Sequence, residues 1–260
     1  MISRQILSFS CAIGLVLGVC TNTSLTTAAE LAEIERRGKL IVAVKDNLPP
    51  LGFTDTQGNL QGLEIDLARQ LAAELLGSPD AVVLQPVTNR ERLHVLLEGE
   101  VDLTIAQVTA TVSRSRLVNF SRHYYLDSSS FVTSDQSVQT LADLANSKIA
   151  VLNSSSTIAV VRHHLPNATL VGVNSYVEAL SLLEAGQAQA LAANRTILVG
   201  WVQEYPHYHL LPMRLGGQAL CIVMPKGLQY ADLWQQVNEA IARWQASGWL
   251  QERLAHWGLL

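Results

Sequence analysis

The apolar positions fall into short runs separated by turn formers, and the spacing inside the runs switches back and forth between two periods. Residues 39–44, apolar from Leu40 onward, read as a strand between Gly38 and a Pro/Gly loop that holds the Pro49-Pro50 pair. Residues 64–76 carry apolar side chains at helical spacing and are closed by Gly77, which predicts an amphipathic helix. The alternation continues with a strand over 81–85, a helix over 92–98 closed by Gly99, and a strand over 101–106. A second set follows: a strand over 148–152, a hydroxyl-rich loop over 153–157 leading into a helix that ends at His164, a strand over 169–173, a helix over 176–184 and a strand over 188–193. Strands alternating with helices imply a mostly parallel sheet covered by helices on both faces. Here the pattern occurs twice, so the expectation is an α/β protein of two lobes. The chain is expected to cross near 128–131 and return near 219–223, inserting a second lobe (129–219) into a first (30–128 and 220–260). Residues 228–260 are expected as a closing helix on the first lobe. Two crossing strands form a hinge, and hinge closure around a small ligand is the motion such a body permits.

The first 29 residues follow another pattern. Arg4 is followed by an apolar run over 6–20 and by Thr27-Ala28-Ala29, a small-residue cleavage signature, which predicts a secretory leader. A membrane span wants about 20 apolar residues, and the polar stretch Thr21 to Ser24 interrupts too early. Leu17-Gly18-Val19-Cys20 resembles a lipobox, which keeps lipid attachment at Cys20 as the alternative. Cleavage after Ala29 would leave 17 basic against 22 acidic residues, a net charge of −5 that argues against nucleic acid or anionic lipid as partner. It would also leave Cys221 as the sole cysteine, with neither a disulfide nor a thiolate metal site available. Cys221 itself reads as a small buried apolar residue. No metal or cofactor is expected: His163, His164, His207 and His209 lie near helix ends and turns and read as surface residues, and no phosphate-binding loop or nucleophile-elbow motif occurs.

The candidate chemistry is concentrated between Gly99 and Tyr125. A strand runs into Gln107, Thr109 and Thr111, and Arg114 follows in the first turn of the next expected helix. Hydroxyls, free N–H groups of a helix start and a planar guanidinium suit a carboxylate. The same residues also read as a capped helix with a solvated arginine, and the segment alone does not separate the two. Ligands on open α/β sheets bind at the carboxyl ends of strands. The residues following four of the expected strands are Lys45, Gln107, Asn153 and Asn194, all polar and two in each half, as expected for a cleft lined from both sides.

Taken in order, Gly62-Leu63-Glu64-Ile65-Asp66, the Gly99 to Tyr125 stretch, Leu141 to Leu144, Ser175-Tyr176 with Glu178-Ala179-Leu180, and Ser247-Gly248-Trp249 resemble the extracytoplasmic solute-binding proteins of family 3, which serve polar amino-acid ABC importers. The resemblance implies a two-lobed periplasmic-binding-protein fold of type II with a two-strand hinge, a periplasmic monomer, a small-molecule ligand and a membrane permease as partner. It also implies that Arg114 holds an α-carboxylate with Thr109 and Gln107, and that Ser156, with Ser155 or Thr157, reaches the same group from the second lobe.

Lys45 and Arg92 stand where the aspartate/glutamate-binding branch places cations, which implies a second carboxylate on the ligand. Asn194 departs from the family, whose members place an aspartate there for the ligand's ammonium. Three explanations stay open: weaker binding, a substitute acid such as Glu64 or Glu178, or a dicarboxylate without an ammonium. The same fold also hosts dehydratase-type enzymes, which would need an acid or base converging on the anion site, and sensor modules fused to membrane receptors. The sequence shows no second apolar span of the kind a receptor carries, and the expectation is a binding protein that performs no chemistry.

Overall fold

A computed structural model describes residues 29–260; the leader reading, with Cys11 and Cys20, falls outside the described residues except for Ala29. The first half contains α1 (Leu31–Arg37), β1 (Leu40–Val44), a small antiparallel sheet of β2 (Asn47–Leu48), β3 (Gly52–Thr54) and β4 (Leu60–Gln61), α2 (Leu63–Leu76), β5 (Val82–Pro86), α3 (His94–Leu97) and β6 (Leu103–Ile105). The long strand β7 (Asn119–Thr133) then leads into β8 (Lys148–Leu152), α4 (Thr157–His164), β9 (Thr169–Val173), α5 (Tyr176–Glu184), β10 (Ala190–Asn194) and α6 (Arg195–Glu204). After β11 (His209–Leu210), β12 (Leu215–Met224) returns the chain to α7 (Ala231–Ser247) and α8 (Trp249–His256).

The main sheet has the order β5-β1-β6-β12-β7-β10-β8-β9, with β11 on β7. Its two ends, β5-β1-β6 and β10-β8-β9, are parallel, and the antiparallel pair β12 and β7 joins them. This is the two-lobed α/β architecture with a two-strand crossing. In β1 the period of two sorts the side chains: Leu40, Val42 and Val44 pack with α2, α7 and α8, while Ile41 and Ala43 pack with Val95, Leu96 and Val118 on the other face. In the second lobe Ala150 and Leu152 face one core, shared with α5 and α6, and Ile149 faces another, shared with α4.

Three expectations change. The closing segment is two helices, because Gly248 adopts φ 82° and breaks the helical path between α7 and α8. Arg92 lies in the turn before α3, not inside a helix. The helix expected to carry Arg114 in its first turn is a single 3-10 turn, Arg114–Arg116, so it brings little helix dipole to an anion. Asp102, in the same motif, is structural: it accepts the Ile41 N–H at 2.7 Å and pairs with Arg37, fastening α1 to the first sheet. Among the described residues no helix is long and apolar enough to cross a membrane.

Candidate functional site

Three cations meet beneath the loop that joins β8 to α4. Arg92 is 2% exposed, and its Nη1 donates to the carbonyls of Ala106 and Gln107, both at 2.8 Å. Arg114 is half-buried and donates from Nη1 to the Thr109 carbonyl and from Nη2 to the Ser154 carbonyl, both at 2.9 Å. Arg92 Nη2 lies 3.5 Å from that same Ser154 oxygen, so two guanidinium groups of the first lobe converge on one atom of the second. Lys45, 5% exposed, donates its ammonium to the Val87 carbonyl at 2.8 Å. Crowding and burial weaken each proton. Burial first, then Arg114, brings Arg92 down to about 10, and burial followed by the charge of Arg92 lowers Lys45. Arg114 is lowered by burial. A group of cations that repel one another out of water is an anion site in electrostatic terms.

Glu64 supports this group from below. It is fully buried near the start of α2, and its Oε1 accepts the Gln107 N–H at 2.7 Å and the Tyr124 hydroxyl at 2.5 Å. Its Oε2 has no hydrogen-bond partner among the described residues. Burial pushes its carboxyl upward, against the opposing pull of Tyr124, Gln107, Arg92 and Lys45. Gln107 adopts φ 52°, an uncommon conformation for a residue with a side chain. It is fixed from both sides, its N–H by Glu64 and its carbonyl by Arg92. Ser154, which meets both arginines, adopts φ 59°.

A second polar cluster crosses the hinge. Gln218 of β12 lies opposite Asp127 of β7, and Ser129 of β7 lies opposite Asn194 of β10, so these four side chains share one face. The Ser156 hydroxyl donates to Gln218 Oε1 at 2.7 Å and lies 3.0 Å from the Thr109 hydroxyl, which is itself 3.1 Å from Gln218. Gln218 Nε2 donates to Ser129. Thr157 Oγ1 lies 3.5 Å from Asn194 Oδ1, and Asn194 Nδ2 donates to Asp127 Oδ2 at 3.1 Å.

The structure thus brings Lys45, Arg92, Gln107, Thr109, Arg114, Ser156, Thr157 and Asn194 to one inter-lobe region. The Ser155 hydroxyl accepts the Thr157 N–H at 3.1 Å and caps the start of α4. Asn153 is turned away and bonded to Asn174, so one of the four strand ends does not join the cleft. Neither acid weighed as a substitute partner for an ammonium is free for it. Glu64 is sealed below Gln107, and Glu178 is exposed at the start of α5, holding the Asn174 N–H at 2.6 Å. Asp127 and Gln218 were not anticipated, because nothing local in the sequence marks a strand residue as facing a cleft. His207 pairs with Glu184 on the surface.

The profile of bacterial extracellular solute-binding proteins, family 3, matches residues 40–259. A glutamine-binding protein of Geobacillus stearothermophilus is 34% identical over 194 residues, 74% of each chain. The glutamate-binding protein GluB of Corynebacterium glutamicum is 28% identical over 264 residues, 93% of this chain and 88% of that one. The crystal structure of a solute receptor for L-cysteine from Neisseria gonorrhoeae superimposes with a TM-score of 0.81 at 28% identity, covering 88% of this chain and 93% of that one.

Proposed function

The chain belongs to the bacterial extracellular solute-binding proteins of family 3, the amino-acid-binding components of ABC importers, and we propose that its ligand is an acidic amino acid, glutamate or aspartate. The observation that carries this reading is the convergence of Arg92 and Arg114 on the Ser154 carbonyl with Lys45 beside them. A carboxylate answers these donors better than a peptide oxygen does, because it adds charge to the same hydrogen bonds. In this assignment Arg114, Thr109 and Ser156 hold the α-carboxylate, and Lys45 and Arg92 hold the side-chain carboxylate.

Net charge narrows the choice. Counted as formal charges, Lys45, Arg92 and Arg114 against Glu64 and Asp127 leave one positive charge in the site. Glutamate or aspartate neutralises it, glutamine leaves it standing, and a dicarboxylate without an ammonium overshoots. Relatives named for glutamine and for glutamate are both similar to this chain, and the charges of the site are what favour an acidic ligand in this reading. We place the lobe boundaries within β7 and β12, and we assign the protein to the periplasm as a monomer that docks to a membrane permease.

Titration calorimetry with glutamate, aspartate, glutamine and glutarate tests the assignment. Glutamate or aspartate is expected to bind tightest, and a ligand at 100 times its Kd should stabilise the fold by about 2.7 kcal/mol. Preference for glutamine, or no heat with either acidic amino acid, overturns it.

A further inference from the structure

Asp127 is 6% exposed, yet it is not paired with any cation among the described residues. Asp102, by contrast, is paired with Arg37, and Glu74 with Arg243. Asp127 has one backbone N–H, from Ser128 at 2.7 Å on Oδ1, and one amide, from Asn194 at 3.1 Å on Oδ2. Two neutral donors leave lone pairs of this carboxylate unfilled. The group is costly in the protein by itself and becomes favourable once a cation arrives.

Its position points to which cation. Asp127 lies on the cleft face of the hinge, in register with Gln218, which binds Ser156 and Thr109 of the anion site. Tyr176, at the start of α5 in the second lobe, has its hydroxyl raised far above the usual range by burial, with the charge of Arg92 pulling it down and that of Asp127 pushing it up. Through Asn194, Thr157, Ser129 and Gln218 the carboxylate is joined by hydrogen bonds to Ser156 and Thr109 of the anion site, so one network carries both signs of charge that a zwitterion needs. We propose that Asp127, reached through the hinge strand, is the carboxylate that receives the ligand's α-ammonium, and that Asn194 is a positioning residue that orients it. This rests on the amino-acid reading above. The Asn194 amide, by donating Nδ2 to Asp127 Oδ2, keeps its own Oδ1 turned toward Thr157 and the ligand, so the ammonium meets one charged and one neutral oxygen.

The test compares an amino acid with the same molecule lacking its amine: L-glutamate against glutarate, and L-glutamine against glutaramate, by titration calorimetry. The ratio of affinities within each pair isolates the ammonium. Asp127→Asn is expected to weaken the amino ligands at least about 30-fold while changing their desamino partners less than threefold. The exchange Asp127→Asn with Asn194→Asp keeps the number of charges and is expected to restore most of the ratio, which also covers the case in which Asp127→Asn alone does not fold. A folded Asp127→Asn protein with an unchanged ratio overturns the assignment, and so does a folded exchange variant with no preference for the amine. If the unaltered protein itself shows no preference for either amino ligand, the amino-acid reading fails and not merely the role of Asp127.

Discussion

Replacing Lys45 by methionine keeps the buried stem and removes the charge. In the proposed site the lysine ammonium meets the side-chain carboxylate of the ligand. Two unit charges about 4 Å apart at an effective dielectric near 20 attract by about 4 kcal/mol. Part of this is already spent on burial, since Lys45 is almost inaccessible and Arg92 repels it. What remains is about 2–4 kcal/mol, roughly a 30- to 700-fold rise in Kd for glutamate. Glutamine has no second carboxylate, and its affinity should change by less than about fivefold, under 1 kcal/mol. The ligand-free protein loses one hydrogen bond, to the Val87 carbonyl, and about 1 kcal/mol with it. It also sheds a buried ammonium and a repulsion, so its melting temperature should hold or rise. Calorimetry with both ligands, beside thermal melts of the free protein, measures all three quantities. Equal losses for glutamate and glutamine, or no loss for glutamate, would refute the placement of Lys45 at the side-chain carboxylate.

Other outcomes follow from the same geometry. Arg114→Lys replaces a fork that spans the Thr109 and Ser154 carbonyls with a point donor, and calorimetry should find glutamate and glutamine weakened alike, by about 1.5–3 kcal/mol. Glu64, raised by burial, keeps its proton to higher pH in the folded chain than in the unfolded one; its contribution to stability therefore grows as pH falls from the folded value toward 4.5 and is lost as pH rises. Urea denaturation across that range should show a flatter pH profile for Glu64→Gln than for the unaltered protein, and parallel profiles would contradict the burial of its charge. Gly62 adopts φ 124°, and a Cβ there would stand 2.3 Å from the Leu51 carbonyl oxygen, whereas at Gly248, φ 82°, a Cβ meets nothing within 4 Å. Alanine should cost about 1–2 kcal/mol at Gly248 and clearly more, about 3 kcal/mol or above, at Gly62; equal denaturation midpoints for the two variants would defeat this distinction.

Much of the architecture was legible because local signals agreed. Helix α5 was bounded from sequence at Tyr176 and Glu184, where Ser175 takes the Glu178 N–H at 3.1 Å and Gly186 lies just beyond the end. The apolar runs that became β1 and β8 were buried on both faces, as continuous runs require. Errors arose where one residue overrides a longer trend. The helical pattern after residue 228 runs on through Gly248, and only the backbone angle there reveals the break. Arg92 looked like the first residue of a helix because the apolar spacing begins beside it, yet its guanidinium turns inward to two strand-end carbonyls. The cations of the site were readable since they follow strands, where sequence position and spatial position coincide. Asp127, Gln218 and Glu64 were not, since their roles depend on pairings 43 to 109 residues apart along the chain.

Strand β7 carries Tyr124, which locks onto Glu64, then Asp127, then Ser129, within six residues of the segment that joins the lobes. Joint and floor are thus inherited together. A lineage drifting toward a new cargo by changing these side chains also alters how easily the halves swing, and a lineage tuning speed of uptake through the joint disturbs its taste for cargo. Selection on this protein acts on both traits through one short stretch of codons.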